Sequence, residues 1–292
     1  MKGSNEPTLF RRKEAAAVHP APARRHPICL AFCLMAVLAF FWNVPKVYAS
    51  QPANSLAGKK LSVMGDSIST FTGQQPADYN IYYPENGEIT QVEQTWWHQV
   101  LTKTGMTLCT NASSSNTNMT GNSLAMDGSA PGCSTRRVMD LRGADGSIPD
   151  VIIVYMGIND FSRSRTPGAF QAPSIRTEGE ISVFSEAYEI MIQKMRVLYP
   201  NAAIYCCTLP PRCCYVERDS GLAVNEIGVQ VTAYNAQIQA VAQAYGAHVI
   251  DLFQFSGINW SNLDLFLSDG IHPNAAGATL IANCVTNALY QN

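Results

Sequence analysis

Residues 60–67 read KLSVMGDS, a short apolar run followed directly by glycine, aspartate and serine. A nearly continuous apolar run such as 60–64 is typical of a strand that is buried on both faces of a parallel sheet. Gly65 permits a tight turn, so Ser67 is predicted just past the carboxyl end of the strand with an accessible hydroxyl group. An isolated Gly-Asp-Ser most often only makes a turn and caps a helix. The role of Ser67 therefore depends on other blocks of sequence.

Strands and helices alternate along the rest of the chain. Three further runs rich in β-formers predict strands at 151–156, 203–208 and 248–252. Apolar residues at helical spacing predict four helices, at 93–104, 183–198, 229–245 and 274–289. This alternation predicts an α/β fold, with a central, mostly parallel sheet covered on both faces in three layers, α/β/α.

Three long irregular stretches interrupt this alternation, at 70–91, 161–181 and 210–228. Long connections without secondary structure in a compact domain are usually functional loops or lids. All three are predicted to leave the sheet at the same end as Ser67, which is the edge where open α/β sheets bind their ligands.

A second block, Asp269-Gly270-Ile271-His272-Pro273, lies close to the C-terminus. A serine hydroxyl is a poor nucleophile until a base takes its proton, and the base needs a third group to orient it and to stabilise its charged form. Ser67, His272 and Asp269 are the candidates for these three roles. His98 and His248 lie in a predicted helix and a predicted strand, and we interpret both as structural.

Two more blocks lie in order between these ends: Asn111-Ala112-Ser113-Ser114-Ser115-Asn116, and Gly157-Ile158-Asn159-Asp160 after the second predicted strand. With four such blocks the chain resembles the SGNH, or GDSL-type, hydrolase family, and the likeness runs from about residue 60 to 289. The resemblance implies a flavodoxin-like fold and hydrolysis of ester bonds without a cofactor. It also implies Ser67 as the nucleophile, His272 as the base and Asp269 as the group that orients the histidine.

The family stabilises the tetrahedral oxyanion with the serine amide, a glycine amide of the second block and the asparagine side chain of the third. Ser67 and Asn159 match this pattern, whereas Asn116 stands where glycine is expected. Asparagine adopts left-handed backbone geometry more readily than other residues with a side chain, so Asn116 can keep the amide donor in place while its side chain crowds the pocket. The alternative donor is Gly121, which would require a five-residue insertion. Asp66 and Asp160 adjoin the blocks, and we interpret them as acceptors that hold turns.

Residues 1–49 differ in composition from the rest of the chain. Basic residues precede an apolar stretch at 28–42, and Val47-Tyr48-Ala49 offers small residues for cleavage before Ser50. This order predicts a secretory signal peptide over 1–49, followed by a single hydrolase domain over 50–292. The apolar stretch has about 15 residues, short of the roughly 20 that span a bilayer. An uncleaved signal anchor is the alternative; with cleavage we expect a secreted or extracytoplasmic protein without stable membrane association.

The predicted domain is acidic. Without residues 1–49 it carries 13 Lys and Arg against 20 Asp and Glu, a net charge of −7. Such a domain lacks the basic surface of a nucleic-acid-binding protein, so the expected partner is a small-molecule or glycan ester.

Seven cysteines lie beyond residue 49, and an extracytoplasmic location favours disulfides. One hypothesis joins Cys109 to Cys133, and another links the pair at 206–207 to the pair at 213–214 across a loop. The alternative is that these cysteines are buried free thiols. Cysteine and histidine spacings typical of zinc sites are absent, and the motif blocks hold no second histidine, so no metal is expected.

The substrate is only partly indicated. A pocket crowded by Asn116 favours a small acyl group, and Trp96-Trp97 could stack on a sugar, although such a pair at helical spacing is more often core. The chain also resembles a secreted bacterial branch of the family that is associated with carbohydrate esters, and with the small acyl group this resemblance implies a carbohydrate O-acetylesterase. Alternatives are a lipase, lysophospholipase or thioesterase of the same fold with an apolar groove formed by 161–181, whose charged residues suit a polar substrate better, and a glycan-binding domain without turnover.

Overall fold

Five parallel strands form the central sheet of the protein. The structure is a computed structural model that describes residues 56–212 and 224–291. A further pair of two-residue strands forms a small antiparallel ladder elsewhere. In chain order the strands are β1 (Lys60–Gly65), β2 (Thr107–Asn111), β3 (Gly121–Asn122), β4 (Val151–Tyr155), β5 (Glu180–Ile181), β6 (Ala203–Cys207) and β7 (His248–Ile250). The central sheet has the order β2-β1-β4-β6-β7.

Helices connect the strands and follow the last one. In chain order they are α1 (Trp96–Thr104), α2 (Thr135–Met139), α3 (Ile158–Ser162), α4 (Phe184–Leu198), α5 (Val231–Ala244), α6 (Leu252–Phe255), α7 (Leu263–Phe266) and α8 (Ala275–Gln291). Helix α1 packs against α8, and α4 packs against α5. The predicted three-layer α/β/α architecture is confirmed.

The strand order places a switch point between β1 and β4. The chain runs from β1 outward to β2 and then returns to the other side of β1 as β4, with Gly65 aligned to Tyr155 at their carboxyl ends. Open α/β sheets bind ligands in the crevice at such a point. The segments that follow β1 and β4 are those that begin at Asp66 and at Met156, so two of the four motif blocks meet there.

The four predicted strands and four predicted long helices are present with small shifts at their ends. The 248–252 strand ends at Ile250, because the Asp251 side chain accepts a hydrogen bond from the Gln254 backbone and begins α6. Strand β2 was not predicted from the sequence. It lies at the edge of the sheet, where most of its residues are partly exposed, so it lacks the continuous apolar run of the inner strands.

The predicted Cys109–Cys133 bridge is wrong. Both residues are free thiols, and their sulfur atoms contact different partners: Ser147 for Cys109, and the backbone oxygen of Gly121 for Cys133. Cys206 and Cys207 are buried free thiols in β6. Their suggested partners, Cys213 and Cys214, lie outside the described residues, as does the predicted signal peptide at 1–49. Within residues 56–212 and 224–291, no helix is both long and apolar enough to cross a membrane.

Candidate active site

Ser67 lies in a short 3₁₀ turn, Ser67–Ser69, directly after β1. The Asp66 side chain caps this turn by accepting a hydrogen bond from the Ile68 backbone N–H at 3.1 Å. The preceding glycine is required by close packing, because a Cβ at Gly65 would lie 2.5 Å from Ser69 Oγ and 2.8 Å from Ser113 Oγ. The turn therefore presents a largely buried serine, 6% exposed, at the switch point of the sheet.

His272 lies between Ser67 and Asp269. Its Nε2 atom is 2.8 Å from Ser67 Oγ, and its Nδ1 atom is 2.7 Å from Asp269 Oδ2. An ionised carboxylate only accepts hydrogen bonds, so Nδ1 carries the proton and Nε2 is left as the acceptor for the serine hydroxyl. The structure thus brings together the three residues that the sequence singles out, in the order that proton transfer from serine to histidine requires.

Asp269 is held in its ionised form. Its Oδ1 atom accepts the backbone N–H groups of Ile271 and His272 at 2.9 and 2.8 Å. Partial burial alone would raise the pKa of Asp269, but the hydrogen bonds from the side chain and backbone of His272 outweigh it and hold the pKa well below its usual value. The carboxylate therefore stays charged at neutral pH.

The backbone of Asn116 has the left-handed geometry that the family's glycine would supply, with φ 62°. Its side-chain oxygen accepts a hydrogen bond from Arg163, which draws the exposed amide toward the loop that follows α3. No acceptor among the described residues takes the backbone N–H of Asn116 or that of Ser67. Gly121, the alternative donor, lies in β3 and is paired with Ile181 of β5.

Asn159 lies in the first turn of α3, immediately after β4. Its side-chain nitrogen donates one N–H to the backbone oxygen of Thr117 at 3.0 Å, which fixes the plane of the amide and leaves its second N–H available. Gly157 precedes the helix with φ 128°, a conformation that strongly favours glycine. The three candidate oxyanion donors therefore each retain an N–H group.

Asp66 and Asp160 hold turns, as the sequence predicts. Asp160 accepts the backbone N–H groups of Met119 and Thr120 at 2.7 and 3.0 Å, so it ties α3 to the segment that follows Asn116. Burial is the main cause that raises the pKa of Asp66 and of Asp160 to about 6, although hydrogen bonds to each carboxylate act in the opposite direction.

Arg137 is an unforeseen part of the site. It is fully buried, and its guanidinium group donates to the backbone oxygens of Gly65 at 2.6 Å, Ala112 at 3.0 Å and Ala130 at 3.1 Å, and to Thr117 Oγ1 at 3.0 Å. It thereby connects the serine turn with the second block. An arginine in a short helix carries no signal of burial in the sequence, so only the structure identifies this role.

Two tyrosines surround His272. The ring of Tyr82 is stacked on the imidazole, with centroids 3.7 Å apart and planes 12° apart, and Tyr83 meets the imidazole edge-on at 6.3 Å. Both belong to the 70–91 stretch that the sequence marks as a functional loop. The sequence does not further indicate that these two tyrosines belong to the site, because aromatic residues in loops usually contribute to packing.

A largely apolar recess lies next to residues that flank these groups in the chain. Three of its lining residues, Ile68, Ile158 and Ile271, are the chain neighbours of Ser67, Asn159 and His272. The remaining lining residues are Tyr155, Leu209, Pro210, Pro211 and Arg212. The recess therefore lies at the edge of the candidate site.

The two tryptophans do not form a sugar platform. Trp96 and Trp97 are fully buried, and their indole nitrogens donate to Ser69 Oγ and to the Ser69 backbone oxygen, at 3.1 and 2.9 Å. They belong to the core and support the serine turn from beneath.

Charged residues of the 161–181 loop are engaged within the protein. Arg176 pairs with Glu186 at 2.9 Å and also contacts Glu189, while Glu178 pairs with Lys194 at 2.9 Å. These contacts attach the loop to α4. Their charges therefore serve the loop's own structure, which weakens the sequence argument that they recognise a polar substrate.

Within the described residues, the two histidines besides His272 have structural surroundings. His98 lies within α1, and His248 lies in β7 with its ring stacked on Tyr205 at 4.7 Å. In the described part of the chain, no group of three or more His, Cys, Asp or Glu side chains could hold a metal ion.

Comparisons with known proteins support the same family. The family model described as GDSL-like lipase/acylhydrolase matches residues 59–210. No curated protein matches the sequence.

Among solved structures, a protein named as a GDSL-like lipase from Bacteroides ovatus is 23% identical, with 81% of this chain and 100% of that chain covered and a TM-score of 0.58. One from Bacteroides uniformis, with the same description, is 25% identical, with 80% and 97% covered and a TM-score of 0.58. A carbohydrate esterase family 3 protein from Talaromyces cellulolyticus is 16% identical, with 80% and 97% covered; its TM-score of 0.49 is too low to bear on the substrate.

Proposed function

Because the chain belongs to the GDSL-like lipase/acylhydrolase family and is an ester hydrolase, we propose that it acts through a Ser67–His272–Asp269 triad. The observation that carries this proposal is the position of His272, which is 2.8 Å from the Ser67 hydroxyl and 2.7 Å from the Asp269 carboxylate. Serine and histidine within hydrogen-bond reach, with a third group orienting the histidine, is the arrangement that activates a serine nucleophile.

The first half of the proposed reaction acylates the enzyme. His272 Nε2 takes the Ser67 proton as Oγ attacks the ester carbonyl carbon, and the carbonyl π electrons move onto oxygen to give a tetrahedral oxyanion. When the oxyanion collapses, the C–O bond to the alcohol breaks, and the imidazolium returns the proton to the departing alkoxide. Asp269 stabilises the imidazolium between these steps, because its carboxylate remains ionised at neutral pH.

The second half hydrolyses the acyl-enzyme. His272 takes a proton from water, the hydroxide attacks the acyl carbon, and the second tetrahedral oxyanion collapses with release of Ser67 Oγ, which regains the proton. We assign the oxyanion donors to the backbone N–H of Ser67, the backbone N–H of Asn116 and the side-chain amide of Asn159. Removal of one such donor costs about 10²- to 10³-fold in kcat in comparable sites.

For the substrate we propose an acetyl ester of a carbohydrate. The support for a short acyl group is the Asn116 side chain, which occupies space beside the proposed oxyanion donors that the family's glycine would leave free. The acidic charge of the chain beyond residue 49 also fits a neutral glycan better than an anionic lipid surface.

A lipase, lysophospholipase or thioesterase is the second candidate. It is favoured by the apolar lining of the recess, where Leu209, Pro210 and Pro211 could contact an acyl chain. A glycan-binding domain without turnover is less favoured, because the histidine lies within hydrogen-bonding distance of both the serine and the aspartate. We also retain the proposal that residues 1–49 are a secretory signal; sequencing of the exported protein should find Ser50 as the first residue.

Hydrolysis of p-nitrophenyl acetate, butyrate and octanoate by the purified protein tests the reaction and the acyl preference together. Ser67→Ala is the inactive variant, and Ser261→Ala, an exposed serine that contacts Asn259, is its control. We expect turnover that falls with chain length and is lost only in Ser67→Ala, together with acetate release from an acetylated oligosaccharide. A preference for octanoate would favour the lipase alternative, and equal background rates in all three proteins would contradict the triad.

A further inference from the structure

Tyr82 contacts two members of the proposed triad. Its ring lies nearly parallel to the imidazole of His272, with the centroids 3.7 Å apart. Its hydroxyl donates to Asp269 Oδ2 at 3.2 Å, the same oxygen that accepts the Nδ1 proton of His272. The Tyr82 side chain therefore contacts both the face of the imidazole and the carboxylate.

The hydroxyl of Tyr82 completes the set of donors around Asp269. A carboxylate has about four lone-pair positions, and here Oδ1 accepts two backbone N–H groups, from Ile271 and His272, while Oδ2 accepts the imidazole and the phenol. The Asp269 side chain is 44% exposed, so water is the alternative partner for Oδ2. Burial and the neighbouring carboxylate raise the pKa of Tyr82 to about 12, and the phenol therefore keeps its proton as a donor.

The loop holds Tyr82 in this place from both sides. The Tyr82 backbone N–H donates to Thr70 Oγ1 at 2.9 Å, and Thr70 is the residue that ends the Ser67–Ser69 turn. The next residue, Tyr83, is fully buried, and its hydroxyl donates at 2.9 Å to the backbone oxygen of Pro273, which follows His272. The loop is thus attached to both the serine turn and the histidine turn.

We propose that Tyr82 is a positioning residue of the active site, which holds the His272 imidazole in the plane that faces Ser67 and limits access of water to the His272–Asp269 pair. This inference rests on the proposed function. An imidazole on a flexible side chain can rotate away from its partners, and a parallel ring at van der Waals distance opposes that rotation. A displacement of about 1 Å at a reacting group can cost about 100-fold in rate.

Two substitutions separate the ring from the hydroxyl. Tyr82→Phe keeps the stacked ring and removes one hydrogen bond, and we expect kcat to fall about 3- to 10-fold. Tyr82→Leu removes both contacts, and we expect kcat to fall about 100-fold. In both variants KM should stay within about twofold of the unsubstituted protein, because the orientation of a base acts on the chemical step. Active-site titration normalises each rate to folded enzyme.

Tyr245 provides matched controls. It is also a partly exposed tyrosine whose hydroxyl donates to a carboxylate, Glu189 Oε1 at 2.7 Å, and it is packed beside α4. Tyr245→Phe and Tyr245→Leu should leave kcat and KM of ester hydrolysis unchanged. Melting temperatures are measured for the Tyr245 and the Tyr82 variants alike. A loss of kcat in a Tyr82 variant that is no less stable than its Tyr245 counterpart is not due to stability alone.

A second readout does not depend on turnover. The His272 Nδ1 proton, in a 2.7 Å hydrogen bond to Asp269, should give a low-field proton resonance in the free protein. We expect this resonance to persist in Tyr82→Phe and to broaden or vanish by exchange with water in Tyr82→Leu, with no change in the Tyr245 variants.

The outcomes separate this proposal from the proposed function. If the unsubstituted protein cleaves no ester, the proposed function fails, and the resonance in the Tyr82 variants still decides whether Tyr82 shields the pair. If Tyr82→Leu keeps kcat within twofold and an unchanged resonance, the positioning role is overturned. A rise in KM with constant kcat would also overturn it, because Tyr82 would then act in substrate binding.

Discussion

The substitution Asp269→Asn should trap His272 in the wrong tautomer. Asp269 Oδ1 accepts the backbone N–H groups of Ile271 and His272 at 2.9 and 2.8 Å, so an asparagine must place its carbonyl oxygen at that position. Its NH₂ group then faces Nδ1, which can only respond by becoming an acceptor. The imidazole proton moves to Nε2, where it points at Ser67, and the histidine can no longer take the serine proton.

The expected loss in kcat is about 10⁴-fold, the order of magnitude that a wrong histidine tautomer costs in a serine triad. Steady-state hydrolysis of p-nitrophenyl acetate measures it, with the rate normalised to folded protein. Asp145→Asn is the control: Asp145 is an exposed aspartate that accepts the Ser147 backbone N–H at 2.8 Å, in the loop before the amino end of β4. Its substitution should leave kcat unchanged.

A mild effect would refute this reasoning. If Asp269→Asn keeps more than about a tenth of kcat while Asp145→Asn behaves like the unsubstituted protein, then the fixed acceptor role of Oδ1 does not dictate the tautomer. A large loss that is accompanied by unfolding would equally contradict it, because the argument requires an intact site with a misplaced proton.

Three further predictions concern the surroundings of the triad. Gly65→Ala places a Cβ 2.5 Å from Ser69 Oγ, and urea unfolding should show a loss of about 1–3 kcal/mol. Arg137→Met leaves several buried carbonyl oxygens without their donor; urea unfolding should show a loss of about 3 kcal/mol or more, and Arg137→Lys should not restore it, because an ammonium cannot reach partners on several sides at once. The pKa values of Asp66 and Asp160 are raised to about 6 by burial, so the folded protein holds protons that the unfolded chain releases near pH 4; their contribution to stability should fall as the pH rises from about 4 to 6, and urea unfolding across that range measures it. Asp160→Asn provides the comparison for the last prediction. If the unsubstituted protein gains stability relative to Asp160→Asn as the pH rises from about 4 to 6, the last prediction is contradicted.

For Asn116, the sequence predicts the backbone geometry but not the contact of the side chain. The substitution for glycine predicts left-handed geometry, and φ is 62°. The contact of its side chain with Arg163 could not be predicted, because the two residues are 47 positions apart and Arg163 lies in an irregular loop. That contact directs the Asn116 side-chain oxygen to Arg163.

The cysteine and tryptophan patterns show the limit of composition. The expected extracytoplasmic location suggested a Cys109–Cys133 bridge, but a disulfide depends on how two side chains are directed, and these sulfur atoms contact different groups. A tryptophan pair is compatible with sugar binding or with the core. Burial of both rings beneath the serine turn decides for the core.

The sequence by itself determined the α/β/α architecture, four of the five strands of the central sheet and the candidate residues Ser67, Asp269, His272 and Asn159. These features are encoded locally, in apolar periodicity and in short blocks of residues at strand ends. The tertiary structure alone decided that Tyr82 covers His272, that Arg137 is buried between two blocks and where the edge strand lies. The contacts within the site join residues that are far apart in the sequence: His272 and Ser67 are 205 positions apart, and Tyr82 and Asp269 are 187 positions apart. No local pattern specifies the direction of two side chains across such a separation, because it is fixed only when the loops pack together.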